Sequence, residues 1–298
     1  MDMLRITNLT KRFGEKEVLR GLSLSVPENS IYGFIGKNGA GKTTTMKTVL
    51  GLLRADGGEI TVNGEKVIYG ATETNKYIGY LPDVPSFYSF MTAPEYLAFC
   101  GGISGLDREE CKVRATELLD LVGLSGETHR IRGYSRGMKQ RLGIAQALLA
   151  KPKLLICDEP TSALDPVGRK EILDILLAVK DRTTVLFSTH ILSDVERICT
   201  DVAFLDNGVI RVEGKLSEIK KNFRSDDYIL EVASAAGAEL ILSSFPKMKL
   251  TSENQLTFSA EEDYLFSVLR FVADNNIPII RVERSEPSLE TLFMEVID

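Results

Sequence analysis

Eight consecutive residues, Gly36, Lys37, Asn38, Gly39, Ala40, Gly41, Lys42 and Thr43, fit the spacing Gly-x4-Gly-Lys-[Ser/Thr] without a mismatch. An apolar run, Ile31 to Ile35, precedes them, and a helix-like stretch, Thr43 to Leu53, follows. Strand, glycine-rich turn and helix together make a phosphate cradle, because successive backbone N–H groups and the helix N-terminus converge on one anion. Lys42 then supplies a mobile positive charge for the terminal phosphates. The Thr43 hydroxyl is placed to hold Mg²⁺, and Thr44 extends the contact surface.

A second group lies some 120 residues downstream. Leu154-Leu155-Ile156-Cys157 is an apolar run that ends on Asp158 and Glu159. A carboxylate at the end of a buried strand suits a phosphate-bound Mg²⁺, which takes few carboxylates and keeps its waters. Glu159, one residue further on, is ionised at neutral pH and can accept a proton from an attacking water. Four other segments accompany the pair: Phe13 ahead of the loop, Asp83 after the run Tyr77 to Leu81, Ser135-Arg136-Gly137 opening a helix, and Ser188-Thr189-His190 closing a strand.

The elements that must hold these groups read as an α/β protein. Leu4 to Leu9, Leu22 to Val26 and Ile31 to Ile35 have strand patterns, and Ile60 to Val62 runs into an Asn63-Gly64 turn. Residues 88–150 change character. Pro94 to Phe99, Glu109 to Val122 and Met138 to Ala150 have helical periodicity, with Gly101-Gly102, Gly123 and Gly133 as expected stops. Strand patterns resume at Leu154 to Cys157 and Thr184 to Phe187, continuously apolar as strands covered on both faces are. Val167 to Val179 reads as the helix between them, and Val202 to Leu205 and Val209 to Val212 as a closing hairpin around Asn207-Gly208. The expected domains are 1–221, with an α/β core of 1–87 and 151–221 around a helical subdomain of 88–150, and then 222–298. Residues 213–224 read as a helical linker. The remainder orders as βαββαβ, the split arrangement of ferredoxin-like domains, with a last helix from Ser288 to Val296.

Composition narrows the function classes. The chain has 298 residues, 44% hydrophobic and 26% charged, as soluble globular proteins are. No apolar run reaches the ~18 residues of a membrane span, and the N-terminus lacks the apolar core of a secretory signal. Cys100, Cys111, Cys157 and Cys199 are scattered, so they read as buried thiols in a reducing cytoplasm. Residues 222–298 carry 14 acidic and 6 basic side chains, a net of −8 against −6 for the whole chain. Such a domain is a poor binder of nucleic acid or anionic lipid.

With these motifs in this order, residues 1–215 resemble the nucleotide-binding subunit of ABC transporters. The subgroup it looks most like is bacterial: its ATPase subunit carries a small C-terminal domain and pairs with a separate membrane subunit, usually for export. Ser135-Arg136-Gly137-Met138-Lys139-Gln140-Arg141 and Pro287-Ser288-Leu289-Glu290-Thr291-Leu292-Phe293 carry that similarity. The resemblance implies ATP and Mg²⁺ as cofactors and a P-loop NTPase core with a helical subdomain. It implies a dimer with two ATP molecules between subunits, an integral membrane permease as partner, and no nucleic acid. It places the protein on the inner face of the cell membrane through that permease. By position, Phe13 resembles the aromatic that stacks on adenine, a contact worth about 1–3 kcal/mol. Ser135 and Gly137 resemble the signature that meets the γ-phosphate across the dimer, and Asp165 the loop that touches the partner. His190 resembles the switch histidine at the γ-phosphate, which with Glu159 and Lys42 completes the catalytic set.

Two departures stand out. The family signature reads Leu-Ser-Gly-Gly-Gln, whereas this chain has Tyr134-Ser135-Arg136-Gly137-Met138. Where the family has a Gln that meets Mg²⁺ and the transport machinery, this chain has Asp83, and two readings stay open for it: a shorter carboxylate that meets the metal through water, or a change that slows hydrolysis or alters coupling to the partner. Two other readings stay open from sequence: a soluble ABC ATPase acting on nucleic acid or ribosomes, and an ATP-sensing module with little turnover.

Overall fold

A computed structural model describes residues 2–71, 73–222, 227–259, 262–284 and 289–297. The chain divides into two compact units, one running to Leu216 and the other spanning Ser217–Glu295.

The first unit holds two sheets. Strands β1 (Asp2–Phe13), β2 (Lys16–Pro27), β4 (Gly57–Val62) and β5 (Glu65–Lys66) form an antiparallel sheet in the order β2-β1-β4-β5. The second sheet has β3 (Ile31–Gly36), β6 (Ile78–Leu81), β7 (Leu154–Asp158), β8 (Thr184–Thr189), β9 (Asp201–Asp206) and β10 (Val209–Lys215), ordered β10-β9-β3-β8-β7-β6. All its pairings are parallel except the β9–β10 hairpin. Every residue of β3, β7 and β8 is buried, which explains their unbroken apolar runs. Helix α1 (Lys42–Val49) follows β3, and its Met46 and Val49 join one core with Leu4, Ile6, Phe34 and Leu186. That shared core braces the helix whose first residues carry the phosphate motif.

Between β6 and β7 the chain runs through α2 (Ala93–Ile103), α3 (Arg108–Leu121) and α4 (Arg136–Leu148). Thr92 and Glu95 form a capping box for α2, and Asp107 accepts from Glu109 N at 3.0 Å at the start of α3. Gly101 and Gly102 do not stop α2; they lie inside it. A Cβ on Gly101 would collide with Cys111 Sγ, so the glycine serves close approach of α3 rather than termination. After β7 come α5 (Pro166–Val179) and, after β8, α6 (Leu192–Ile198). The expected linker helix is shorter at its start, because strand pairing continues to Lys215 before α7 (Leu216–Asn222). Residues 223–224 of that linker lie outside the described residues.

The second unit has β11 (Asp227–Val232), α8 (Ala235–Ser244), β12 (Lys249–Ser252), β13 (Gln255–Ser259), α9 (Glu262–Asp274), β14 (Ile279–Arg284) and α10 (Leu289–Ile297). Sheet order β12-β13-β11-β14, with every pairing antiparallel, is the split βαβ arrangement expected of a ferredoxin-like domain. Leu230, Val232, Leu256 and Phe258 pack under Ala238, Ile241, Val268 and Val272 of α8 and α9. Pro287 and Ser288, named in the sequence reading, lie outside the described residues. Cys111, Cys157 and Cys199 are buried as expected, but Cys100 is only partly so.

Candidate functional site

The parallel sheet brings the ends of β3, β7 and β8 side by side, in register Ile35 beside Thr189 and Asp158 beside Ser188. The phosphate motif follows β3 as a tight turn. Gly41 caps α1 at φ +117°, a conformation open to glycine, and a Cβ there would stand 2.7 Å from Leu19 Cδ2. Val18, Asn38, Gly39, Lys42 and Thr43 line a cleft of about 340 Å³ together with Asp83, Asp158 and Glu159. Gly41 and Thr44 border the same cleft. Gly36 and Lys37 lie beneath it, their carbonyls accepting from Lys42 Nζ at 2.6 and 3.4 Å. Ala40 borders a neighbouring recess of about 410 Å³ with Arg12, Lys16 and Arg20.

The charged groups interlock. Lys42 Nζ stands 3.1 Å from Glu159 Oε1, an ion pair without hydrogen-bond alignment. The other carboxylate oxygen, Oε2, is 2.8 Å from His190 Nδ1. Thr43 Oγ1 donates to Asp158 Oδ2 at 2.8 Å, and Ser188 Oγ donates to Asp158 Oδ1 at 2.7 Å. Glu159 adopts φ +49°, an uncommon backbone for a residue with a side chain. That twist at the strand exit turns its carboxylate sideways, between Lys42 and His190. Its N–H donates to Ser188 O at 3.1 Å and Oγ at 3.0 Å.

Asp83 lies two residues past β6. Its Oδ1 accepts from Ser162 Oγ at 2.9 Å and stands 3.7 Å from Arg136 Nη2, while its carbonyl accepts from Gln140 Nε2 at 2.7 Å. Tyr80, on β6, has its hydroxyl pKa pushed up to about 12, first by burial and then by the Asp158 charge. A hydroxyl and a carboxylate in contact, hard oxygen donors with one full charge, fit a magnesium ion that keeps most of its shell for phosphate and water. Thr43 and Asp158 are the residues that would hold it, with Asp83 facing the same cleft.

Phe13, Ser135, Gly137 and Asp165 are not among the cleft-lining residues. Phe13 is half exposed at the end of β1, its ring 5.4 Å from Lys11 Nζ. Ser135 caps α4, its Oγ accepting from Met138 N at 3.2 Å, with Gly137 in the first turn. Asp165 caps α5 and accepts from Gly168 N at 3.1 Å. Sequence reasoning assigned no role to Ser188, Ser162 or Gln140. The available signal was a serine in place of an aliphatic residue at the end of an apolar strand.

Elsewhere in the same unit, a groove of about 750 Å³ runs between α2 and α3. Ala98, Leu106, Ala115 and Leu119 give it apolar walls, and Arg108 and Lys112 border it. Tyr88, Phe90 and Phe99 are exposed on and just before α2, with ring centroids 5.9 and 5.3 Å from Tyr88.

Comparison with known proteins is consistent along the chain. Residues 19–162 match the family described as ABC transporter, and residues 214–297 the one described as ATP-binding protein DrrA1-3-like, C-terminal domain. An uncharacterized ABC transporter ATP-binding protein, YxlF of Bacillus subtilis (strain 168), is 40% identical over 298 residues, 99% of each chain. The bacitracin transport ATP-binding protein BcrA of Bacillus licheniformis is 34% identical over 99% of this chain and 97% of its own. Among solved structures, a dimeric ATP-binding cassette in a post-hydrolysis state, bound to ADP and Pi, matches with a TM-score of 0.65. It is 26% identical and covers 72% of this chain and 99% of its own.

Proposed function

This chain belongs to the ATP-binding subunits of ABC transporters, and from that premise we propose how its residues divide the work. It binds and hydrolyses ATP and drives transport. The observation that carries the division of roles is the unbroken run of contacts from Thr43 through Asp158 and Ser188 to Glu159, Lys42 and His190.

The turn from Gly36 to Thr44 cradles the β- and γ-phosphates. Lys42 leaves Glu159 for the incoming phosphate charge, which frees Glu159 Oε1 to take the proton of an attacking water. His190 holds the opposite oxygen and keeps the carboxylate aimed into the cleft. When bound at Thr43 and Asp158, Mg²⁺ neutralises charge developing on the phosphates. Phe13, exposed beside the loop, suits stacking on the adenine. Ser135 and Gly137 sit at the start of α4 outside the cleft, which suits contact with the ATP of a second copy, and Asp165 at the start of α5 suits contact with that copy itself. The solved cassette that matches this chain is dimeric, and two-fold pairing is the commonest symmetry for such an assembly.

Among the described residues no helix is long and apolar enough to cross a membrane. The transport path then belongs to a permease subunit, with this chain peripheral on the cytoplasmic face. The groove between α2 and α3, with the exposed aromatics Tyr88, Phe90 and Phe99, suits a short amphipathic helix of that permease. The naming of a 32% identical relative, LnrL of Bacillus subtilis (strain 168), for linearmycin resistance favours export.

The test is a pull-down of tagged Glu159→Gln protein from detergent-solubilised native membranes with ATP present. Stoichiometric recovery of a multi-span membrane protein is expected, together with its loss when Ala98→Trp fills the groove. Recovery of soluble factors alone would overturn the permease reading, and undiminished recovery with Ala98→Trp would overturn the groove.

A further inference from the structure

We propose that Ser188 is a positioning residue that sets both the magnesium carboxylate and the backbone of the general base. The inference rests on the reading of Asp158 as that carboxylate. Ser188 has no exposed surface and lies on β8 directly beside Asp158 in the parallel ladder. Its hydroxyl is used twice. The proton goes to Asp158 Oδ1 at 2.7 Å, and a lone pair accepts the Glu159 N–H at 3.0 Å.

Each bond has a consequence for the site. Asp158 is 2% exposed, and an ionised carboxylate buried to that degree needs its oxygens satisfied. Thr43 satisfies Oδ2 from the phosphate loop, and Ser188 satisfies Oδ1 from the neighbouring strand β8. The carboxylate plane is therefore fixed with Oδ2 turned to the loop, where the metal would sit. The second bond acts on Glu159, whose left-handed backbone persists only where the surroundings hold it. Ser188 grips that N–H with its hydroxyl and with its carbonyl at 3.1 Å. An aliphatic residue at 188 would leave Oδ1 bare and halve the grip on Glu159. Neither the phosphate loop nor His190 replaces these contacts, because Thr43 bonds Asp158 Oδ2 and His190 bonds the Glu159 side chain, not its N–H.

The experiment compares ATP binding to the full chain with Mg²⁺ and with EDTA, using a fluorescent ATP analogue, alongside kcat. Ser188→Ala should lower the Mg²⁺ enhancement of affinity about tenfold and kcat about 10²-fold, with metal-free ATP affinity within twofold. Ser188→Thr, which keeps a hydroxyl, should restore most of both. Ser188→Cys, close in volume but a weak donor, should fall between Thr and Ala, and this series decides the matter if the alanine variant does not fold. A merely structural serine would lower the yield or melting temperature and leave the ratio of the two affinities unchanged. Equal Mg²⁺ enhancement in Ser, Thr and Cys proteins would overturn the proposal. Absence of any Mg²⁺ enhancement in the unsubstituted chain would instead overturn the assignment of Asp158, and this inference with it.

Discussion

The two units use the same materials, a sheet and helices around an apolar core, yet among the described residues one collects reactive groups and the other does not. In the first, β3, β7 and β8 run parallel and are buried throughout, so their C-terminal ends emerge together. Residues from 36–44, 158–159 and 188–190 meet there although some 150 positions separate the first from the last. In the second, neighbouring strands run in opposite directions and alternate their polar residues onto one face. Glu231, Arg281 and Glu283 share that outer face, with pair distances of 3.6 and 3.3 Å. Parallel strands gather chemistry at one edge of a sheet, whereas antiparallel strands spread it over a surface.

The sharpest way to break this contrast is to remove chemistry from the first unit without disturbing packing. Glu159→Gln should lower turnover by roughly 10²–10⁴ and leave ATP binding intact. Near-normal phosphate release from that variant would dismiss Glu159 as general base. In the second unit the sensitive positions should be apolar instead. Leu256→Ala, at a fully buried residue, should cost about 2–5 kcal/mol in urea unfolding of that unit. ATP turnover per folded molecule should stay within about twofold. A collapse of turnover would show that the second unit serves the site directly.

A smaller effect follows from Tyr80. Its pKa of about 12 in the folded chain exceeds the ~10 of an unfolded tyrosine. Its contribution to stability is complete below pH ~10. It is lost as pH rises through about 12. Tyr80→Phe should therefore narrow the drop in urea midpoint between pH 9 and pH 11.5, and an unchanged drop would dismiss the burial argument. The least effect belongs to the outer face of the second unit. Arg281→Ala removes two exposed ion pairs and should shift stability by under about 1 kcal/mol, a result that a denaturant titration at low and high salt would check.

What was legible in the chain follows the same division. The phosphate loop and the Asp158–Glu159 pair were readable because their chemistry is written in adjacent residues, with the strand that carries each one marked by an apolar run. The βαββαβ order of the second unit was readable for a related reason, since turns and periodicity are local. Gly101 misled because a glycine that ends a helix and one that admits a neighbouring helix look alike until the neighbour, Cys111, is in place. The same holds for Val209 to Lys215, where pairing with β9 carries the strand past its apolar pattern.

The residue types alone determined that this protein has a phosphate cradle, a strand-end carboxylate pair and an acidic second unit, because each is a property of contiguous sequence. Only the tertiary structure decided that Lys42 and His190 hold Glu159 between them, that Asp158 answers to Thr43 on one side and Ser188 on the other, and that Asp83 faces the same cleft. Those contacts join residues 30 to 117 positions apart, and no local pattern encodes a distance that depends on the order and register of strands in a sheet.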